Sequence, residues 1–382
     1  MLRYLTAGES HGKCLTAIIE GLPSGVELDE AFINGRLARR QQGYGRGGRM
    51  AIERDTVEIT AGVRHGKTLG SPVCLVVKNR DYENWEKIMG AFASEQADEK
   101  TVTKPRPGHA DLAGAIKYGH RDIRNILERA SARETAIRTA VGAVAMCFIN
   151  SFGITVRSYV HSIGNVTVDQ PYPLNAEQWQ YSQSSQLSCP DPKAEALMMA
   201  AIDKAKENGD SLGGIFRVVI NKVPVGLGSH VHWDRRLDAN LSRALMGIPA
   251  IKGVEFGMGF AAAGRPGSEV HDELGYNGSF FRSTNNAGGI EGGISNGEEI
   301  VISCAMKPIP TLYKPLRSVD LLTKEPFEAS IERSDVCAVP AAAVVAEAAS
   351  AFEIAAAIVE KFGGDSLEEM LRNYNGYMKQ AF

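Results

Sequence analysis

Residues 8–23, GESHGKCLTAIIEGLP, return in altered form at 209–224 as GDSLGGIFRVVINKVP. Gly8, Ser10, Gly12, Ile19 and Pro23 are identical to Gly209, Ser211, Gly213, Ile220 and Pro224, and Glu9 becomes Asp210, all at an offset of 201. Each copy leads into an arginine-bearing helix that stops at glycine, Arg36 to Gly43 and Arg235 to Gly247. A strand, a glycine-rich loop and a second strand follow in both places. Such an echo folds most simply as two similar halves packed around a pseudo-two-fold axis. We expect one large domain over 1–382, with repeat halves at 1–150 and 209–310.

The elements between the copies are legible from their ends and their residue types. VEITAGV (57–63), VCLVVK (73–78), ITVRSYV (154–160), FRVVINKV (216–223) and EIVISCAM (299–306) are rich in β-branched residues and read as strands. Asp191-Pro192 is a cap followed by proline at the first helical position, and Gly209 closes that helix. Asp234 and Gly247 bracket another helix, while Ser131 with Glu134 and Ser366 with Glu369 form capping boxes. The alanine-rich run from Pro340 to Lys361 is a long buried helix. Helices and strands mix without a βαβ rhythm, which points to α+β layers with antiparallel sheets.

Composition narrows the function. A net charge of -3 argues against a general polyanion binder. Six scattered cysteines form no C-x-x-C pair, and the N-terminus has no apolar stretch of signal-peptide length. No run approaches ~18 uninterrupted apolar residues. These features predict a soluble, cytoplasmic, reduced protein with no membrane and no nucleic-acid partner. No G-x-x-x-x-G-K-[ST], G-x-G-x-x-G or G-x-S-x-G pattern marks a standard nucleotide cradle or nucleophile elbow.

Several residue groups suit chemistry on an anion. The loop RRQQGYGRGGRM carries Arg39, Arg40, Arg46 and Arg49, whose guanidinium forks match phosphate and carboxylate oxygens. Arg39 and Arg40 also suit the last turn of a helix, where positive charge complements the dipole. His11 is Leu212 in the second copy, so the loop does not need an imidazole to fold, and the histidine has its own task. On that argument leucine at position 11 is structurally tolerable. His109 follows the stiff segment Pro105 to Pro107 just before a helix start, where anions are favoured; a capping role is the alternative. Ser131 caps a helix flanked by Arg129 and Arg133, another anion cradle. Lys307-Pro308-Ile309-Pro310-Thr311 is a rigid loop at a strand end, and Asp335 lies too far upstream of Pro340 to be its cap. His230 and His232 share a strand face but lack a third ligand, so no metal is predicted.

Together these segments resemble the chorismate synthase family. GESHGKCLTAIIEGLP, ERASARETAIRTAVGAVA and RSDVCAVPAAAVVAEA resemble its three signatures, and RRQQGYGRGGRM, RPGHAD, AGGIEGGISNG and KPIPT fall in its order, from Leu5 to about Glu360. Ala130 departs from the serine that many relatives carry. The resemblance implies a β-α-β sandwich, a homotetramer, and elimination of phosphate from 5-enolpyruvylshikimate-3-phosphate with reduced FMN, NADPH being one possible reductant. It implies His11 as an acid beside the flavin, His109 as proton donor to the leaving phosphate, Asp335 at the flavin N5 proton, and Ser10 and Ser131 as relays. Arg40, Arg46, Arg49 and Arg133 would hold substrate anions. Flavin contacts would come from Arg129, Ala130, Ser131, Pro249, Ala250, Gly292, Lys307, Pro308, Ile309, Pro310, Thr311 and Arg333. Two other readings stay open: a phosphate-handling enzyme without flavin, and an RNA-binding module built on the RGG-like loop, which the net charge opposes.

Overall fold

The structure, a computed structural model, describes residues 1–47, 54–92, 97–169, 172–329 and 335–380. Arg49 and Arg333 lie outside the described residues.

The chain begins with β1 (Arg3–Ala7) and β2 (Cys14–Glu20), followed by α1 (Glu30–Gln41), β3 (Val57–Ala61) and β4 (Val73–Lys78). In β2, Leu15, Ala17 and Ile19 point inward and Ile18 outward, the alternation a half-buried strand requires. Asp29 starts α1 by accepting from the Phe32 amide at 3.1 Å. The four strands form an antiparallel sheet in the order β1-β2-β4-β3. Next come α2 (Asp111–Tyr118), α3 (Arg124–Ala130) and the buried helix α4 (Thr135–Asn150).

A second series begins with β5 (Thr155–Ile163) and the short β6 (Val166–Thr167). After α5 (Pro192–Glu207) come β7 (Gly214–Asn221), α6 (Leu237–Met246), β8 (Ile251–Phe256) and β9 (Ile300–Met306). Their antiparallel sheet has the order β8-β9-β7-β5-β6. Helix α7 (Val339–Phe362) and α8 (Leu367–Gln380) end the chain. Helix α4 lies on β2 and β4, α7 lies on β5 and β7, and α4 and α7 pack on each other.

The echo extends into hydrogen bonding. The Thr68 hydroxyl donates to the Pro23 carbonyl at 2.6 Å and accepts from the Val26 amide at 2.9 Å. The Ser295 hydroxyl donates to the Pro224 carbonyl at 2.6 Å and accepts from the Leu227 amide at 2.8 Å. Beside these, Gly25 and Gly226 (φ +85° and +96°) donate to the carbonyls of Thr68 and Ser295.

Some local expectations need correction. Asp234 sits in a 3-10 turn and pairs with His232 at 2.6 Å, so α6 starts later and without a side-chain cap. Ser131 caps only a 3-10 turn, accepting from the Arg133 amide at 3.3 Å. Glu134 turns away from the expected box and accepts from Thr6 Oγ1 at 3.1 Å. Ser366 Oγ accepts from the Glu369 amide at 3.3 Å as expected, but the Glu369 carboxylate reaches the Asp365 amide rather than that of Ser366. Helix α7, whose apolar run is interrupted by Glu347, Glu353 and Glu360, is nevertheless long and apolar enough by composition to cross a membrane, and 78% of its most apolar stretch is buried within the protein.

Candidate active site

The first repeat loop is built around one carboxylate. At Gly8 (φ +112°) the chain turns where a Cβ would strike the backbone of Cys14 and Leu15. Beyond the turn, Ser10 N donates to the Glu128 carbonyl at 3.0 Å and His11 N to Glu128 Oε2 at 2.8 Å. The His11 ring Nδ1 lies 2.9 and 3.0 Å from the two carboxylate oxygens. Glu128 is only 1% exposed against 18% for the histidine. Burial pushes the Glu128 carboxyl up, but hydrogen bonds from His11 and the charge of Arg124, 3.1 Å away, outweigh it and leave the group below its usual range. Trp85 stacks on the imidazole, centroids 4.0 Å apart at 21°. Ser10 Oγ donates to Ser131 Oγ at 3.2 Å, and Arg129 fastens the loop through the carbonyls of Thr6 and Gly8.

Leu212, the counterpart of His11, packs against the apolar core instead. The echo therefore misleads on one point. Leucine at position 11 would strip a buried carboxylate of a partner, so the tolerance expected from the repeat does not hold here.

His109 precedes α2 without capping it. Its Nδ1 lies 2.5 Å from Asp111 Oδ1, while Arg106 Nε donates to Asp111 Oδ2 at 2.9 Å. Burial raises the Asp111 carboxyl, yet the bonds from His109 and Arg106 win and hold it far below its ordinary range. This loop interlocks with the one after β9: Arg106 Nη1 donates to Thr311 Oγ1 at 3.2 Å, and Lys307 Nζ to the Gly108 carbonyl at 2.6 Å. Ser211, the repeat partner of Ser10, donates to the Ile309 carbonyl at 2.7 Å and so holds the same loop. Both histidine loops rest on α2 and α3, joined by Ala115, Ile123 and Leu127.

The basic loop is less open than its sequence suggests. Arg40 is buried and spends its nitrogens on Thr135 Oγ1, Asp55 and the Ala132 carbonyl. Arg133, also buried, takes Asp55 at 2.6 and 2.7 Å and Asn79 at 2.9 Å. These two arginines brace the start of α4 rather than presenting open forks. Arg46 pairs with Asp335 at 2.8 Å, and the Gly47 amide donates to the same carboxylate at 2.6 Å. Asp335 is thus engaged, not free.

Among the residues expected to touch a flavin, Ala250 and the loop Lys307 to Thr311 come together, with Lys307 N donating to the Ala250 carbonyl at 3.0 Å. Pro249 directly precedes Ala250, and Arg129, Ala130 and Ser131 follow Glu128. Gly292 does not join them within one chain. It turns a hairpin beside the start of α6, whereas Lys307 sits past the far end of β9, whose seven residues span about 20 Å. Glu128, Asp111, Asp55 and Trp85 went unread in the sequence. Two of them adjoin motifs, Glu128 before Arg129 and Asp111 within RPGHAD, and that adjacency was the available signal. Among the described residues no cluster of three or more His, Cys, Asp or Glu side chains is arranged for a metal.

Two imidazoles backed by carboxylates, close to arginine and lysine, suit proton transfer next to a bound anion, and the protein is an enzyme of the lyase class. The sequence profile described as chorismate synthase matches residues 2–359. Chorismate synthase of Geobacter metallireducens is 61% identical over 99% of this chain and 98% of its own, and that of Geobacter sulfurreducens is 60% identical over 99% of each. A crystal structure of chorismate synthase superposes with a TM-score of 0.81 at 46% identity, covering 99% of this chain and 98% of that one. The chain belongs to the chorismate synthase family.

Proposed function

We propose that the chain converts 5-enolpyruvylshikimate-3-phosphate to chorismate and phosphate by 1,4-elimination, the last common step toward the aromatic amino acids. One C–O bond to phosphate breaks, one ring hydrogen leaves and a second ring double bond forms, so the carbon skeleton is not oxidised overall. The interlock of loops 105–111 and 307–311 carries this reading, because it puts the His109 imidazole beside Arg106 and Lys307. In that setting His109 protonates the departing phosphate.

The cation set also fits a phosphorylated cofactor. Burial and neighbouring Lys252 both push the Lys307 ammonium below its usual range, and no carboxylate pairs with it among the described residues. An anionic phosphate supplies the missing counter-charge. Reduced FMN, when bound, supplies electron density as phosphate leaves. Arg129, Ala130, Ser131, Pro249, Ala250 and Lys307 to Thr311 would hold it; Gly292 reaches it only from elsewhere, and Arg333 joins by resemblance alone. His11 then serves as an acid, the Ser10–Ser131 hydroxyl pair passes protons, and Asp335 accepts one after Arg46 exchanges it for a substrate carboxylate. Arg49 completes the substrate arginines, with Arg40 and Arg133 acting from beneath.

The test is anaerobic. Enzyme, substrate and chemically reduced FMN should yield chorismate and phosphate in equal amounts. Equal turnover with flavin omitted would sink the reading in favour of a flavin-free phosphate enzyme. Replacing the chemical reductant with NADPH then tells whether the chain reduces its own flavin.

We further propose a duplicated fold in which two sheets enclose the helices. Support comes from the orders β1-β2-β4-β3 and β5-β7-β9-β8, which match strand for strand, and from the paired hydroxyl knots of Thr68 and Ser295. The second half then starts at Thr155 rather than at 209. A cytoplasmic homotetramer completes the proposal. Its support is six free thiols and the exposed pair Leu5 and Ile18, register partners on β1 and β2. Sedimentation of the purified protein tests the assembly.

A further inference from the structure

We infer that Glu128 is a positioning residue for His11, holding the ring by Nδ1 so that Nε2 is the nitrogen offered to the reacting molecules. The inference rests on the reading of His11 as a proton donor.

Asn79 and Arg129 hold the carbonyls of Glu9, Gly12 and Gly8, but the backbone amides of Ser10 and His11 and the His11 ring are all held by Glu128. The Glu128 carbonyl takes the Ser10 amide, and its carboxylate takes both the amide and the ring Nδ1 of His11. A ring flip would present a C–H to the carboxylate in place of Nδ1, and Trp85 stacked on the imidazole face opposes the rotation. The charge of Arg124 adds to the bonds from His11 in holding the Glu128 carboxyl below its usual range, so it faces the ring as an ionised acceptor. The charged groups facing the ring are Glu128 and Arg124 of α3 and, across Trp85, Lys100, whose Nζ stands 3.5 Å from the indole centroid.

With Nδ1 held by Glu128, the His11 ring has one nitrogen left to offer. Here no described residue bonds Nε2. The same order of groups recurs in an unrelated loop: Arg106 clamps Asp111, Asp111 holds Nδ1 of His109, and Nε2 again has no partner among the described residues. Two segments with no shared sequence arrive at one arrangement, arginine to carboxylate to imidazole. What they share is a ring whose tautomer is set from behind.

Glu128→Gln tests this. The Nδ1-protonated tautomer of the His11 ring, read by long-range proton–nitrogen NMR and assigned by its absence in His11→Gln, should give way to a mixture of the two tautomers. Single-turnover rate should drop ~10–100-fold, the size of loss known for removing a carboxylate behind a metal-bound histidine. The loss should fall on kcat, while KM changes little. Glu128→Asp should restore part of both readouts. Should Glu128→Gln fail to fold, the double variant Arg124→Gln/Glu128→Gln removes both charges together and carries the same expectation. An unchanged tautomer overturns the inference whatever the turnover. A changed tautomer with wild-type turnover upholds the attachment of the ring to Glu128 and overturns the acid role of His11.

Discussion

Gly142 of α4 meets the backbone of Ala348 in α7 with no space for a side chain between them. A Cβ at 142 would land on the Cα, Cβ and carbonyl oxygen of Ala348. The two helices carry opposite sheets, so this contact sets the spacing of the whole core. Gly142→Ala should therefore destabilise the protein by about 1–3 kcal/mol, the usual cost of overpacking, read as a lower urea midpoint. An unchanged midpoint would mean that the helices part freely.

Glu347, on the same helix, is fully buried at 0% exposure. It pairs with Arg36, with Arg39 at 3.1 Å and with Ser158 Oγ at 2.5 Å. Burial, then the charge of Arg39, pushes the Arg36 guanidinium down to about 9. Glu347→Ala strands both arginines and should cost about 3–5 kcal/mol. A loss below about 1 kcal/mol in denaturant titration would show that water reaches the pair.

His109→Ala should slow turnover by ~10²–10⁴-fold, the contribution of one positioned proton donor. Asp111 keeps Arg106, so the circular dichroism spectrum should match that of the wild type. Near-normal turnover across the pH range would reduce His109 to a loop residue.

His11→Leu should lose both activity and stability. Turnover should fall ~10²–10⁴-fold. The weakened pairing of Glu128 should also cost about 1–3 kcal/mol. Melting alone therefore cannot separate a catalytic from a structural histidine at this position. The deciding measurement is the single-turnover rate of the folded fraction, and a normal rate there removes His11 from the chemistry.

Acid should unfold the protein partly through Asp111 and Glu128. Both are held below their ordinary values of 3.8 and 4.5 in the folded state. A depressed carboxylate contributes its full stability above the unfolded value and loses it as pH falls through the folded one. Asp111→Asn should be less stable than wild type at pH 7, but its urea midpoint should fall less steeply below about pH 4. Parallel slopes for the two proteins would contradict the assignment.

Strand 73–78 is legible to the residue, and the Asp191 cap at its place, because alternation and capping act within one or two turns of chain. The likeness of 8–23 to 209–224 is legible for the same reason: its glycines, proline and inward-facing isoleucines are written side by side. No local rule joins His11 to Glu128 across 117 positions, Arg40 to Thr135 across 95, or Gly47 to Asp335 across 288. Those pairs exist because α3, α4 and the segment before α7 are carried to the loop ends of the sheets by packing. Packing also cancels nearness in sequence. Gly292 and Lys307 are close along the chain, yet a whole β-strand, rigid and extended, stands between them. Residue types announced an anion and a proton donor; which carboxylate stands behind which histidine follows from the way α2 and α3 stack in three dimensions.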